Sequence, residues 1–218
     1  MISKDTVKEA FYKTFKIKAE HTYHAPGRVN LMGEHIDYHG GYVFPAAIDL
    51  GTSCAMAIRH DTYFYVYSKQ FEEDGIITID PKDLKYDAKL GWINYISSVL
   101  YVFLQKGHKF PYGVTFYIDS DLPTASGLSS SASIEMLIAY VINDVYQFGY
   151  SNEMLAMLTQ EAEQTFLKVH SGIMDQLSIA LGKKGHAMMM HTATRNVTHH
   201  PVFIEGYSWV ILNTNYKR

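Results

Sequence analysis

Between Gly33 and the pair Gly40 and Gly41 the sequence places Glu34, His35 and Asp37 within four positions, with Arg28 a few residues earlier. The hydrophobic alternation that runs up to Leu31 stops there, and charged groups between glycines replace it. Residues 27–41 therefore read as a built polar loop, although a solvated Gly-rich turn with a structural His35 has the same local composition. A second constellation lies at residues 121–133, where Pro123, Gly127 and Leu128 lead into Ser129, Ser130, Ser131, Ala132 and Ser133. Small residues between a strand and a helix let backbone N–H groups approach an anion, and a helix N-terminus adds unpaired donors and positive dipole potential. Hydroxyls there can serve a phosphate or a hard cation such as Mg²⁺, so the segment suits a nucleoside triphosphate; the alternative is a Ser-rich helix cap that holds no ligand. It is not a Walker A loop, because no Lys follows its glycine. The third constellation is Asp175 in residues 171–176, at the start of an apolar helical pattern, with Glu161 and Glu163 upstream. Asp175 would be partly desolvated there, or would serve as an N-terminal dipole partner, while Glu161 reads as part of a solvated helix face.

These groups need a scaffold, and the patterning supplies one. Val7, Phe11 and Phe15 recur at helical spacing in residues 5–15, so the chain opens with a short amphipathic helix. Strand patterns follow at residues 22–31, 42–48, 52–59, 62–67 and 75–79, separated by Gly, Asp or His-Asp turns. The wide apolar stripe of residues 92–105 predicts a helix ended near Gly107, and residues 114–119 alternate as a strand. Helices are expected at 129–145, 152–166, with Ser151 as N-cap, and 172–181, then strands at 187–190, 197–203 and 209–212. A strand-rich half followed by helices interleaved with strands describes a mixed α+β domain. No internal repeat or Pro/Ser-rich linker marks a boundary within it.

Composition narrows the function classes. The chain has 218 residues, 47% of them hydrophobic, and a formal net charge of -3. That length and apolar content fit one large domain with a sizeable core. The charge balance and the lack of a Lys/Arg-rich tract argue against a nucleic-acid partner and favour a small neutral or anionic ligand. Cys54 is the single cysteine, so an internal disulfide and a thiolate metal cluster are both excluded, and a reducing compartment is expected. The N-terminus is charged and no run of about 18 apolar residues occurs, which points to a cytoplasmic protein with no membrane partner.

The run from Gly27 to Gly41 closely resembles the signature of galactokinases, within the small-molecule kinase family that also phosphorylates homoserine, mevalonate and phosphomevalonate. It departs at Met32, usually Ile, and at Ile36 and His39, where Thr and Asn are common, but keeps every charged position. The serine segment resembles the family's second motif, with Thr124, Ala125 and Ser126 where many members carry more glycine. Residues 171–176 are similar to a Cys-Gly-Ile-Met-Asp-Gln motif with Ser171 in place of Cys, and Lys168 stands where galactokinases usually have Gly. The three motifs occur in the family's order across nearly the whole chain.

By that resemblance the fold is a mixed sheet carrying helices on one side, like the second domain of ribosomal protein S5, and the chain is the N-terminal domain only, with a C-terminal domain absent and the fragment alone inactive. Glu34, His35, Asp37, Gly172 and Asp175 would hold galactose, since convergent acceptors and donors replace the water a neutral polyol loses. Arg28 and Asp175 would be catalytic, Arg28 neutralising charge on the transferring phosphoryl group and favouring ionised Asp175. Gly127, Leu128, Ser129, Ser130, Ser131, Ala132 and Ser133 would cradle ATP, with Trp92, Tyr95 and Ser68 beside the base, although the two aromatics equally suit a helix core. Ser131 and Glu163 would hold Mg²⁺. The activity implied is ATP-dependent phosphorylation of the galactose C1 hydroxyl, with Asp175 either a general base or an orienting group. The alternatives are an N-acetylgalactosamine kinase or a non-catalytic sugar and ATP sensor derived from the family.

Overall fold

The strand that delivers Arg28 pairs with a neighbour longer than its sequence pattern suggests. The structure, a computed structural model, describes residues 2–123 and 126–212. Helix α1 (Lys4–Phe15) is capped by Ser3, whose side chain accepts from the Thr6 N–H. Strand β1 (His21–Asn30) follows, then a short β2 (Tyr42–Val43) and a 14-residue β3 (Pro45–Ile58). The two strands expected at 42–48 and 52–59 are thus divided differently: a short β2, and a continuous β3 that runs through Gly51. Gly51 is not a turn. A Cβ there would lie 2.3 Å from the Ala25 carbonyl oxygen, so the glycine permits close strand approach instead of breaking the strand.

Strands β4 (Phe64–Ser68), β5 (Ile77–Ile79) and β6 (Val114–Ser120) complete a five-stranded sheet in the order β1-β3-β6-β4-β5. All its pairings are antiparallel except the parallel β4–β6 pair, which makes the sheet mixed as expected. Four helices, α2 (Ile93–Gln105), α3 (Ser130–Val145), α4 (Asn152–Ala162) and α5 (Met174–Leu181), share one core with the sheet, which includes Met56, Phe116, Phe103, Met136 and Leu177. The sheet is not bare on its other face: Val7 and Phe11 of α1 pack on Ala55, Ala57 and Tyr117, which alternate with the residues facing the main core. Helices therefore lie on both faces, four against one.

Strand β7 (His186–His191) pairs with both β2 and β8 (Asn196–Pro201), forming a second, antiparallel sheet. Two further expectations change. The helix expected over 152–166 is α-helical only to Ala162 and continues as a π-helical turn over Glu163–Leu167. The strand expected at 209–212 does not form, because no strand among the described residues pairs with it; Val210 and Leu212 are left 74% and 86% exposed. No helix among the described residues is long and apolar enough to cross a membrane.

Candidate functional site

The three motifs meet at Asp175. Strand β1 carries a register shift between Pro26 and Arg28, a bulge that re-aims Arg28. Gly27 sits in that shift, where a Cβ would lie 2.7 Å from the Leu128 carbonyl oxygen, so only glycine lets the strand approach the serine segment this closely. The Arg28 backbone N–H donates to Leu128 O at 3.1 Å, and its guanidinium donates to Gly127 O. The guanidinium also grips one Asp175 oxygen twice, Nε at 2.8 Å and Nη2 at 2.7 Å from Oδ1. The other oxygen, Oδ2, accepts from the Ser129 hydroxyl. Ser129 reaches it from a left-handed backbone, φ 59°, a conformation costly for a residue with a Cβ.

On one side of this junction lies the polar loop. Its base is closed by backbone hydrogen bonds, Leu31 N–H to Phe44 O and Phe44 N–H to Met32 O, and its tip is exposed. Glu34 accepts from Asn30 Nδ2 at 2.9 Å, and His35 Nδ1 lies 2.7 Å from the Tyr38 hydroxyl. Asp37 turns inward against Gly172: a Cβ on Gly172 would meet Asp37 Oδ2 at 2.0 Å. Burial is the main influence raising the Asp37 carboxyl above its usual range, helped by the negative charge of Asp175, while backbone donors oppose it. Asp37 and Gly172 line a cavity of about 380 Å³ together with Ser171 and Arg195. Glu34 and His35 lie outside that cavity, on the exposed loop.

A larger cavity, about 550 Å³, brings together Ser68, Trp92, Tyr95, Ser130 and Ser131. One face of the Trp92 indole is already taken by Phe71, stacked at 5.3 Å, and its Nε1–H donates to Asp74 Oδ2 at 2.9 Å. The serine segment divides by task. Ser129 is committed to Asp175, and Ser133 is fully buried, donating within 2.9 Å of Ala25 O and Thr52 Oγ1. Ala132 and Leu128 are also buried. The Ser133 hydroxyl, expected in the phosphate cradle, therefore ties the helix to β1 and β3, and Ser130 and Ser131 are the hydroxyls that face the cavity.

Glu163, the expected Mg²⁺ ligand, begins the π-helical turn and is buried. Its Oε2 accepts from the Ser171 hydroxyl. Burial again dominates the rise of its carboxyl, against the lowering effect of hydrogen bonds from Ser171, Glu135 and Gln176. A carboxylate of this kind with the Ser131 hydroxyl offers two hard oxygen donors, which fits Mg²⁺ binding that leaves most positions to phosphate and water. Among the described residues no group of three or more His, Cys, Asp or Glu could hold a metal on its own.

Three participants escaped sequence reasoning. Ser171 was visible only as a departure from Cys, yet its hydroxyl is what fixes Glu163. Lys168 adopts a left-handed backbone, φ 61°, which accounts for Gly being usual at that place. Glu135 is completely buried in α3, and its signal was a carboxylate set in the middle of a nearly continuous apolar run between Ile134 and Ile142.

Comparison with known proteins bears on the family and the fold. The galactokinase galactose-binding signature matches residues 9–58 and the GHMP kinase N-terminal domain matches residues 94–183, together more than half of the chain. A galactokinase of Ligilactobacillus salivarius is 41% identical over 217 residues, covering 100% of this chain and 56% of that protein. One from Clostridium perfringens is 39% identical over 98% of this chain and 55% of its own length. The chain thus spans a little over half the length of these curated relatives. The crystal structure of Lactococcus lactis galactokinase complexed with galactose superposes with a TM-score of 0.88 at 34% identity, over 93% of this chain and 53% of that one. Mevalonate kinase of Methanococcus jannaschii, at 19% identity and a TM-score of 0.68 over 85% of this chain and 56% of that one, shares the fold. With two family signatures in sequence order and a galactokinase as structural neighbour, the chain belongs to the GHMP kinase family, on its galactokinase branch.

Proposed function

We propose that the protein, at the full length of its relatives, transfers the γ-phosphoryl group of ATP to the C1 hydroxyl of galactose. The observation that carries this reading is the junction at Asp175, where the arginine of the polar loop and the first hydroxyl of the serine segment take the two oxygens of one carboxylate. Ser130 and Ser131, which follow Ser129, line the larger cavity with its aromatic and hydroxyl groups, and Gly172, three residues before Asp175, lines the polar recess, which supports transfer between a sugar and a nucleotide. Glu34, His35, Asp37 and the Gly172 backbone hold sugar hydroxyls, replacing the water that the polyol loses. Ser130 and Ser131 donate to phosphate oxygens, with Gly127 letting the backbone come close, and Trp92, Tyr95 and Ser68 flank the base.

Asp175 orients the C1 hydroxyl for attack. Both of its oxygens already accept hydrogen bonds, which supports positioning more than strong proton abstraction. Arg28 balances charge on the moving phosphoryl group, where transfer passes through a loose transition state that needs little proton removal beforehand. Glu163 and Ser131 would hold Mg²⁺, which when bound neutralises charge on the nucleotide phosphates.

The test is a sugar panel with ATP and Mg²⁺ on the protein at its relatives' full length, measuring rate and phosphorylation position. Galactose 1-phosphate is expected as the main product. Preference for N-acetylgalactosamine, or sugar binding without turnover, would overturn the assignment. Residues 1–218 alone are expected to turn over little or no galactose, and brisk galactose-dependent ADP release by them would contradict that.

A further inference from the structure

His35 stands outside the recess that Asp37 and Gly172 line, on the exposed part of the polar loop, whereas Tyr38 is one of the residues lining it. The two side chains are joined. The loop folds back through hydrogen bonds from Ile36 N–H to Gly33 O and from His39 N–H to Ile36 O, and His35 within it takes a left-handed backbone, φ 58°. A short 3₁₀ turn over Asp37–His39 then brings the Tyr38 hydroxyl to 2.7 Å from His35 Nδ1, with the two rings edge to face at 6.0 Å. The Tyr38 ring is also met by His39, 4.6 Å between centroids, so it is held although it is 53% exposed.

Whether the hydroxyl donates to Nδ1 or Nδ1–H donates to the hydroxyl oxygen, Nδ1 is occupied. Nε2 is then the ring nitrogen left without a partner among the described residues. An exposed imidazole that turns freely loses rotamer freedom when a ligand fixes it, and one already held loses little. A partner on one ring nitrogen also sets what the other can offer. We propose that Tyr38 is a positioning residue for the sugar side of the site: its hydroxyl holds the His35 imidazole at the edge of the recess and keeps Nε2 for a sugar hydroxyl. The proposal rests on the reading of His35 as a sugar-binding residue.

The experiment is a double-mutant cycle in the full-length protein, with Tyr38→Phe, His35→Ala and the two combined. Galactose affinity is read by isothermal titration, beside steady-state kinetics with ATP and Mg²⁺ and thermal unfolding. Phe keeps the ring and removes only the hydroxyl. Tyr38→Phe is expected to raise the Kd and KM for galactose about threefold to tenfold, with kcat at saturating galactose and the KM for ATP within about twofold of the natural protein. In the His35→Ala background the same change should cost nothing further, because a residue that acts only through another is not additive with it. Unchanged galactose affinity in Tyr38→Phe overturns the proposal. So does a loss that simply adds to that of His35→Ala, because the hydroxyl would then meet the sugar itself or support the loop as a whole. Should Phe lower the melting temperature, the cycle still decides, since a loosened loop weakens binding in both backgrounds alike. If His35→Ala leaves galactose affinity unchanged, the sugar reading of His35 falls and the proposal with it. If it weakens binding while Tyr38→Phe does not, the proposal alone falls.

Discussion

Asp175 and Glu163 stand twelve positions apart and close enough for the charge of one to act on the other, yet their surroundings are opposite. Asp175 is met by a guanidinium and a hydroxyl, so both of its oxygens are satisfied within the protein. Glu163 is buried among hydrogen-bond donors, a second carboxyl and the charge of Asp175, with no cationic side chain among the causes that shift it. The first carboxylate is compensated before any ligand arrives, whereas the second has charge to spare for a cation. That difference supports the two roles proposed for them, holding a substrate hydroxyl and holding a metal.

The largest effect should come from the compensated member. Asp175→Asn is expected to lower kcat by roughly 10³-fold while leaving the KM for ATP within a few-fold, as read from steady-state kinetics of the full-length protein. A kcat within about threefold, under about 1 kcal/mol of barrier, would leave Asp175 with neither proposed role. The uncompensated member should respond differently. Glu163→Gln is expected to weaken Mn²⁺ binding by at least about tenfold and yet raise the melting temperature of the metal-free protein near neutral pH, since an unfavourable buried charge is lost. A drop in melting temperature would erase the contrast.

Gly172→Ala probes the boundary between the two tasks. Its Cβ would displace the Asp37 carboxylate, so the KM for galactose should rise about tenfold while nucleotide binding holds. Lys168→Gly should relieve a left-handed backbone next to Glu163 and stabilise the protein by about 1 kcal/mol in chemical denaturation. On stability alone, Asp37→Asn should have the smallest effect, and a pH-dependent one. Because burial raises the Asp37 carboxyl in the folded state, folding loses stability as pH rises through the interval between its unfolded and folded values. The melting temperature of the Asn variant relative to the natural protein should therefore climb by up to a few degrees as pH rises from the ordinary aspartate range, and then level off. A difference independent of pH would show that desolvation at Asp37 is slight.

The groups legible in the sequence are those whose chemistry forbids substitution by a neutral filler. Arg28, Asp37, Asp175 and the serine run stood out because charge or hydroxyls interrupt apolar patterning, and the structure does bring Arg28, Ser129 and Asp175 into contact. The helices and most strands were legible through periodicity for the same reason: half-buried elements need alternating environments. What escaped depends on approach between distant segments. Gly51 looks like a turn until the Ala25 carbonyl is seen beside it, and Ser133 looks like one more phosphate hydroxyl until Ala25 and Thr52 are seen beneath it. The placement of α1 on the far face was equally hidden, because an amphipathic stripe shows that a helix packs but not on which side. The 209–212 pattern failed in the opposite sense: alternation alone makes no strand without a neighbour to bond with.

Ser129 carries a consequence for how this site can drift. Its left-handed backbone would be relaxed by glycine, so a selection that rewards only heat tolerance or expression should favour Ser129→Gly. The same change would free one Asp175 oxygen and loosen the contact between the serine segment and Asp175. Variants enriched purely for robustness would therefore tend to be sturdier proteins with weaker chemistry, and the position offers an early marker that a population has begun to trade one for the other.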